Sequence, residues 1–406
     1  MPQPSHQTMR TWTILTPELP PLCGGVGDYT AQVAAALAAA GDDVTVFTPP
    51  QASAPLPIPG VTLVSLGDVY GPASRAEIDR RVAHRSTTMI VQYVPTAFGL
   101  KGANLPWCRW LRERSRRPDA DIRVMFHEPY FDYGWKPFHQ GPLSIVQRAM
   151  ARMLLRIGGT TYLSTDAWRP RLARYAREGG RRRFVTLPIP STIPASRDGD
   201  AVAALRRELR RDPAASGAIV GHFGTYGTHV APLLRPALES LLLADPRLTA
   251  VCAGAGSDAF ARALVSSQPA LAGRLHGFGR TSADRTSTIL AACDLMLQPF
   301  PDGVTTRRTS VMASLRNARP VLTTAGHLTE LVWKETGAVA MTIADDGCAF
   351  VEAARRLLAD AGERGALARR GERTYRERFA LEHTIAALRG GRTSSVKVAA
   401  LAQVEL

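Results

Sequence analysis

The chain has 406 residues, which at about 100–200 residues per domain points to two domains of ordinary size. An apolar fraction of 45% with 21% charged residues excludes a mostly disordered chain and a collagen-like repeat. Lys and Arg total 50 against 35 Asp and Glu, a net charge of +15, and only Lys101, Lys136, Lys334 and Lys397 are lysines. No run of 18 apolar residues occurs and the N-terminus lacks the basic-then-apolar pattern of a signal peptide, so a cytoplasmic location is expected.

In chain order, Thr11 to Thr16 reads as a strand, followed by a Pro/Gly-rich turn from Pro17 to Gly27. Tyr29 to Ala40 reads as a helix, with Val33 and Leu37 at helical spacing and Gly41 closing it before a strand at Val44 to Phe47. Apolar runs at Val61–Leu66, Met89–Tyr93, Ile122–Phe126 and Thr160–Ser164 alternate with longer segments, as a parallel sheet with crossover helices requires. Between Phe184 and Asp200, Pro188, Pro190 and Pro194 forbid regular structure for several residues and mark a linker. The pattern restarts at Ala218–Phe223, with further strands expected at Leu248–Cys252, Gly273–His276, Leu295–Gln298, Val321–Thr323 and Ala338–Thr342. The expected fold class is α/β. Its domains are residues 1–195 and 196–375, with a helix at 376–390 packing back on the first and a loosely ordered tail at 391–406. Cys23, Cys108, Cys252, Cys293 and Cys348 form no C-x-x-C pair and read as buried apolar residues.

Open parallel sheets bind ligands beyond the carboxyl ends of their strands, which ranks the loops there first as site candidates. Three glycine loops occupy such places: Gly24-Gly25-Val26-Gly27, Gly224-Thr225-Tyr226-Gly227 and Gly254-Ala255-Gly256. Glycines let the backbone approach a ligand, and a following helix offers N–H groups to an anion.

The first of these loops, the return Gly41-Asp42-Asp43-Val44, His127-Glu128 after a mid-domain strand, and the runs Ala292–Phe300 and Arg319–Leu322 together resemble the GT-B glycosyltransferases, specifically the group-1 retaining family, family 4. The resemblance covers about residues 11–390. It implies two Rossmann-like domains facing across a cleft, with a nucleotide-sugar held mainly by the second and an acceptor by the first. No cofactor is implied beyond the co-substrate, a UDP- or GDP-linked sugar, and no metal. Gly24, Gly25 and Gly27 match the loop that approaches donor phosphates and acceptor. His127 matches a histidine lying over the transferred sugar, and Asp28, Tyr29 and Glu128 fall on the acceptor side. Gly224, Thr225, Tyr226, Gly227, Gly254 and Gly256 match donor-domain loops. Gly277 and Phe278 match a segment that contacts the nucleobase through its backbone.

The family usually carries two glutamates eight positions apart near the last donor-binding helix, but counting back from Pro320 puts Thr305 and Ala313 there. A lysine that generally follows the second glycine loop is also replaced, by Thr228 and His229. A departing diphosphate still needs positive charge already in position. Arg307 and Arg308, just before an expected helix from Ser310 to Asn317, are the candidate replacements. Asp302 or the Gly303 amide is expected at the sugar hydroxyls, with Thr305, Thr306 and Ser310 on the donor side. In retaining transfer of this type the departing phosphate can take the acceptor proton, so no protein nucleophile is required. No Ser-His-Asp set or spaced carboxylate pair offers one.

Plainer readings stand beside these. His127 could be a structural histidine, Arg307 and Arg308 a solvated pair, and Asp28 a helix cap. Residues 101–183 hold 18 basic and 7 acidic residues. Leu105-Pro106-Trp107 and Met150, Met153, Leu154, Leu155 and Ile157 lie among the arginines, which suits an anionic membrane surface, or equally a solvated face. A sugar epimerase or phosphorylase of the same fold, a binding protein that lost activity, and a nucleic-acid binder are the other classes. The last lacks any helix-turn-helix, RNP or zinc pattern.

Overall fold

The computed structural model describes residues 9–22, 24–83, 85–131, 140–157, 159–176, 184–210 and 217–390. Cys23, Lys136, Arg181, Arg182, Arg183 and the 391–406 tail lie outside the described residues.

Two parallel sheets form the chain's two lobes. The first contains β1 (Thr11–Leu15), β2 (Asp43–Thr48), β3 (Val61–Ser65), β4 (Thr88–Tyr93), β5 (Asp121–Phe126), β6 (Thr161–Leu163) and β7 (Phe184–Thr186), in the order β3-β2-β1-β4-β5-β6-β7. The second contains β8 (Ile219–Phe223), β9 (Thr249–Ala253), β10 (Leu275–Gly277), β11 (Leu295–Gln298), β12 (Val321–Ala325) and β13 (Ala340–Ile343), in the order β10-β9-β8-β11-β12-β13. All pairings are parallel, with Ile14 level with Val46 on one side and Ile90 on the other. Strands covered by helices on both faces need apolar residues at successive positions, and Ile14 and Leu15 are accordingly both fully buried.

Helix Gly25–Ala39 turns Val33, Ala34 and Leu37 onto one face of the first sheet. The other face carries an aromatic cluster in which Phe98 stacks on Trp107 at 4.1 Å and Tyr70 packs against both. Leu328, from the loop after β12 in the second lobe, is part of that first-lobe core.

Several elements differ from the sequence reading. Phe184–Thr186 pairs with β6, so the irregular linker begins only at Leu187 and ends where helix Gly199–Leu209 starts. The first helix begins at Gly25 rather than Tyr29, because Gly24 is extended and takes the N-cap position. Asp28 therefore lies in the first turn and is not the cap. Cys108, Cys252 and Cys293 are buried, whereas Cys348 is exposed near the start of helix Gly347–Ala359. At the C-terminal end, helix Leu381–Leu388 lies on the first lobe, where Leu388 joins the core beside Trp12 and Val44. No helix among the described residues is long and apolar enough to cross a membrane.

Candidate functional site

Strand order reverses direction between β1 and β4 in the first sheet and between β8 and β11 in the second. The loops after these strands therefore open into a crevice suited to a ligand. In the first lobe the loop after β1 returns Glu18 over the start of helix Gly25–Ala39. Its Oε1 accepts a hydrogen bond from the Gly27 amide at 3.2 Å. A Cβ on Gly24 would fall 1.7 Å from that same oxygen, so the glycine makes room for a carboxylate of this chain. Tyr29 is buried and turns its ring toward His127, edge-on, at 5.2 Å between centroids.

His127 follows β5 directly and is 7% exposed. Its Nε2 lies 2.8 Å from Gln92 Oε1, and its carbonyl accepts from Ser164 Oγ and Trp168 Nε1. Burial, and then the nearby Arg307 charge, push the imidazole down to about 3. A ring neutral at ordinary pH that meets a carbonyl oxygen through Nε2 carries its proton there, which leaves Nδ1 as an acceptor.

The opposing wall is the loop after β11. Arg308 pairs with Asp302, and its guanidinium lies over the Phe300 ring at 4.3 Å. Arg307 lies over the Trp168 ring at 5.2 Å. It divides its nitrogens between Asp302 Oδ2 at 3.5 Å and Glu128 Oε1 of the first lobe at 3.1 Å. Burial and then Arg307 pull Arg308 down to about 10, and the Nε of each arginine is buried without a hydrogen-bond partner. Arg308 occupies the N-cap position of helix Thr309–Arg316. The sequence places Asp302 or the Gly303 amide at sugar hydroxyls; in the structure the Asp302 carboxylate faces the two arginines.

Around this pair, the Thr305 hydroxyl is buried without a partner, and Thr306 is bound to Glu330. Ser310 Oγ donates to Gln298 Oε1 at 3.1 Å, and Gln298 Nε2 donates to the Phe223 carbonyl. The glycine loops of the second lobe are joined backbone to backbone. The Gly224 amide bonds the Ala253 carbonyl, Gly254 bonds Gly279, and Phe278 bonds Cys252. Gly254 has φ +107, and a Cβ there would meet the Gly224 carbonyl oxygen at 2.1 Å. Gly256 caps helix Ser257–Ser267, and Gly277 packs on the start of that helix. Thr225 and Gly227 are exposed. Tyr226 turns inward instead, its hydroxyl donating to the His222 carbonyl at 3.1 Å and its ring packing on His222 and Phe260.

The structure thus brings His127, Glu128, Asp302, Arg307 and Arg308 together from both lobes and places Gly303, Thr305, Thr306 and Ser310 in the same loop and helix start. Gly25 and Asp28 remain on the first-lobe helix. Motif spacing missed Glu18, Gln92, His222 and Glu330. His222 is 3% exposed, burial pushes its imidazole down to about 3, and its Nδ1 has no partner. The one available signal was position, since Glu18 and Glu330 each lie in a loop just after a strand. Burial raises the Glu330 carboxyl above its usual range. Among the described residues no group of three His, Cys, Asp or Glu side chains could hold a metal ion.

No protein-family model and no curated protein matches the sequence. Solved structures do match in three dimensions. Sucrose-phosphate synthase from Thermosynechococcus elongatus superposes with a TM-score of 0.70 at 16% identity, over 94% of this chain and 97% of that one. The fold is GT-B. HepE of Anabaena, solved in complex with UDP and glucose, gives 0.66 at 15% identity over 93% of this chain and 98% of its own. Trehalose 6-phosphate synthase from Burkholderia multivorans gives 0.64 at 15% identity over 98% and 100%. At these identities the likeness is one of GT-B architecture.

Proposed function

We propose that the chain is a retaining, metal-independent glycosyltransferase that moves a sugar from a nucleotide diphosphate to an acceptor hydroxyl, as a family 4 enzyme with a divergent donor motif. The observation that carries this reading is the pair Arg307 and Arg308, held at the start of a helix and facing His127 and Glu128 across the cleft. The UDP complex of HepE favours a UDP-linked donor.

In this reading the diphosphate takes the place of the carboxylates on the two guanidiniums, whose charge stabilises the leaving group as the glycosidic bond lengthens. The acceptor oxygen attacks from the face that the phosphate leaves. Its proton passes to a phosphate oxygen, so the protein supplies position and field and no nucleophile. Neutral His127 offers Nδ1 as an acceptor to a sugar hydroxyl and does not add to the positive charge at the arginines. Arg307→Ala should lower turnover about 10²–10³-fold with the fold unchanged. Unchanged turnover would reject the assignment.

The acceptor side fits peripheral attachment to an anionic, cytoplasmic membrane face. The apolar anchors expected from the sequence are not available to a membrane, because Trp107, Met150, Leu154, Leu155 and Ile157 are buried in the first-lobe core and Leu105 and Met153 pack against it. Exposed Leu100 (64%) and Ile145 (59%) stand in their place, with exposed Lys101, Arg152 and Arg156 in the same segments. Co-sedimentation with vesicles containing an anionic lipid tests this, and the expected result is binding that falls as salt is raised.

A further inference from the structure

Glu330 lies outside every motif that the sequence displays, yet it joins the two lobes beside the arginine pair. It follows β12 and is 7% exposed. Its Oε1 accepts from the Asp166 amide of the first lobe at 2.8 Å and from Thr306 Oγ1 at 2.8 Å, while Oε2 accepts from the Thr306 amide. Thr306 is also held from the linker, its carbonyl accepting from the Ile189 amide at 3.0 Å, and its one hydroxyl proton is shared between Glu330 Oε1 and the first-lobe Ser164 carbonyl at 3.1 Å, going to one of them at a time. The Asp166 segment is itself fixed, because Asp166 Oδ1 accepts from Thr186 Oγ1 and pairs with Arg169.

The arrangement needs a carboxylate. Two backbone amides approach different oxygens of the same side chain, and an amide side chain could present an acceptor to only one of them. The other would face a buried N–H with no partner, which is costly in an interior. The residue so clamped immediately precedes Arg307, and Leu328, two residues before Glu330, is embedded in the first-lobe core.

We propose that Glu330 is a positioning residue: it ties the Thr306–Arg308 turn to the Asp166 segment of the opposite lobe and thereby sets the orientation in which both guanidiniums receive the donor diphosphate. The reaction it serves rests on the functional reading above, whereas the tie itself does not.

The test compares the full-length protein with Glu330→Gln and Thr306→Val by hydrogen exchange and steady-state kinetics. Exchange should accelerate about tenfold or more in peptides containing Asp166 and in peptides containing Thr306 to Ser310, with β2 unchanged. The donor KM of Glu330→Gln should rise about tenfold with acceptor KM unchanged. Thr306→Val keeps the amide bond and should show a smaller change of the same kind. Acceleration confined to one lobe, or none, overturns the tie, and a donor KM equal to that of the unaltered enzyme overturns the positioning role. If the unaltered enzyme binds no UDP- or GDP-sugar in calorimetry, the functional reading fails while the exchange data still decide the tie.

Discussion

Arg307 Nη1 of the second lobe stands 3.1 Å from Glu128 Oε1 of the first, so an ion pair spans the two lobes at the place where the proposed function puts a diphosphate. The pair is 22% and 44% exposed on its two sides, a setting in which such contacts contribute little stability. A bidentate phosphate is the stronger partner for a guanidinium, and Glu128 would then be released. Glu128→Gln should therefore tighten UDP or GDP binding about three- to tenfold, read by calorimetry. Weaker binding would show that Glu128 orients the guanidinium and does not compete for it.

Asp302 pairs with two arginines at once and offsets part of their combined charge. Removing its charge leaves two cations side by side in a partly buried turn. Asp302→Asn should cost about 1–3 kcal/mol in denaturant unfolding, and adding Arg308→Gln should restore part of that loss. A double variant no more stable than the single one would mean that Asp302 acts through the backbone and not through charge.

His127 and His222 are both held near 3, below the ordinary histidine value of 6.5. Their folded forms resist protonation and their unfolded forms do not. The stability they contribute is complete above pH 6.5 and is lost as pH falls from there toward 3. Glu330 works in the opposite sense, since its raised carboxyl favours the folded state as pH falls. Melting temperature should drop between pH 7 and pH 4, and His222→Asn should make that drop smaller. A variant whose acid sensitivity matches that of the unaltered protein would exclude this histidine as a source.

At Gly254, an added methyl group meets backbone, which cannot rotate away, in a conformation that L-residues rarely adopt. Gly254→Ala should destabilise by about 2 kcal/mol or more. Gly227→Ala, with open space at its Cβ, should leave the melting temperature nearly unchanged. Equal effects at the two sites would refute the close packing between Gly224 and Gly254.

The alternation of short apolar runs with helical spacing made both sheets legible before any coordinates, because a strand covered on two faces and the crossover after it differ in period. Phe184–Thr186 escaped because it is a three-residue edge strand just ahead of prolines. The arginine loop was visible as charge, but its pairing with Asp302 and Glu128 was not, since 179 residues separate Glu128 from Arg307. Glu18 and Glu330 act through backbone amides, which leave no trace in residue spacing.

The polypeptide passes between the lobes twice, once through residues 187–198 and once on leaving the π-helical turn Tyr375–Phe379 for helix Leu381–Leu388. The two passages touch, with the Ser191 amide donating to the Tyr375 hydroxyl at 3.2 Å. Arg389 anchors the second passage on Asp42, at the far side of the first sheet. A body joined to another by two strands pinned together swings about one axis, like a door on a double hinge. Any movement of one lobe against the other is accordingly guided by the chain's own covalent path, and severing the last helix would free the lobes to twist as well as to swing.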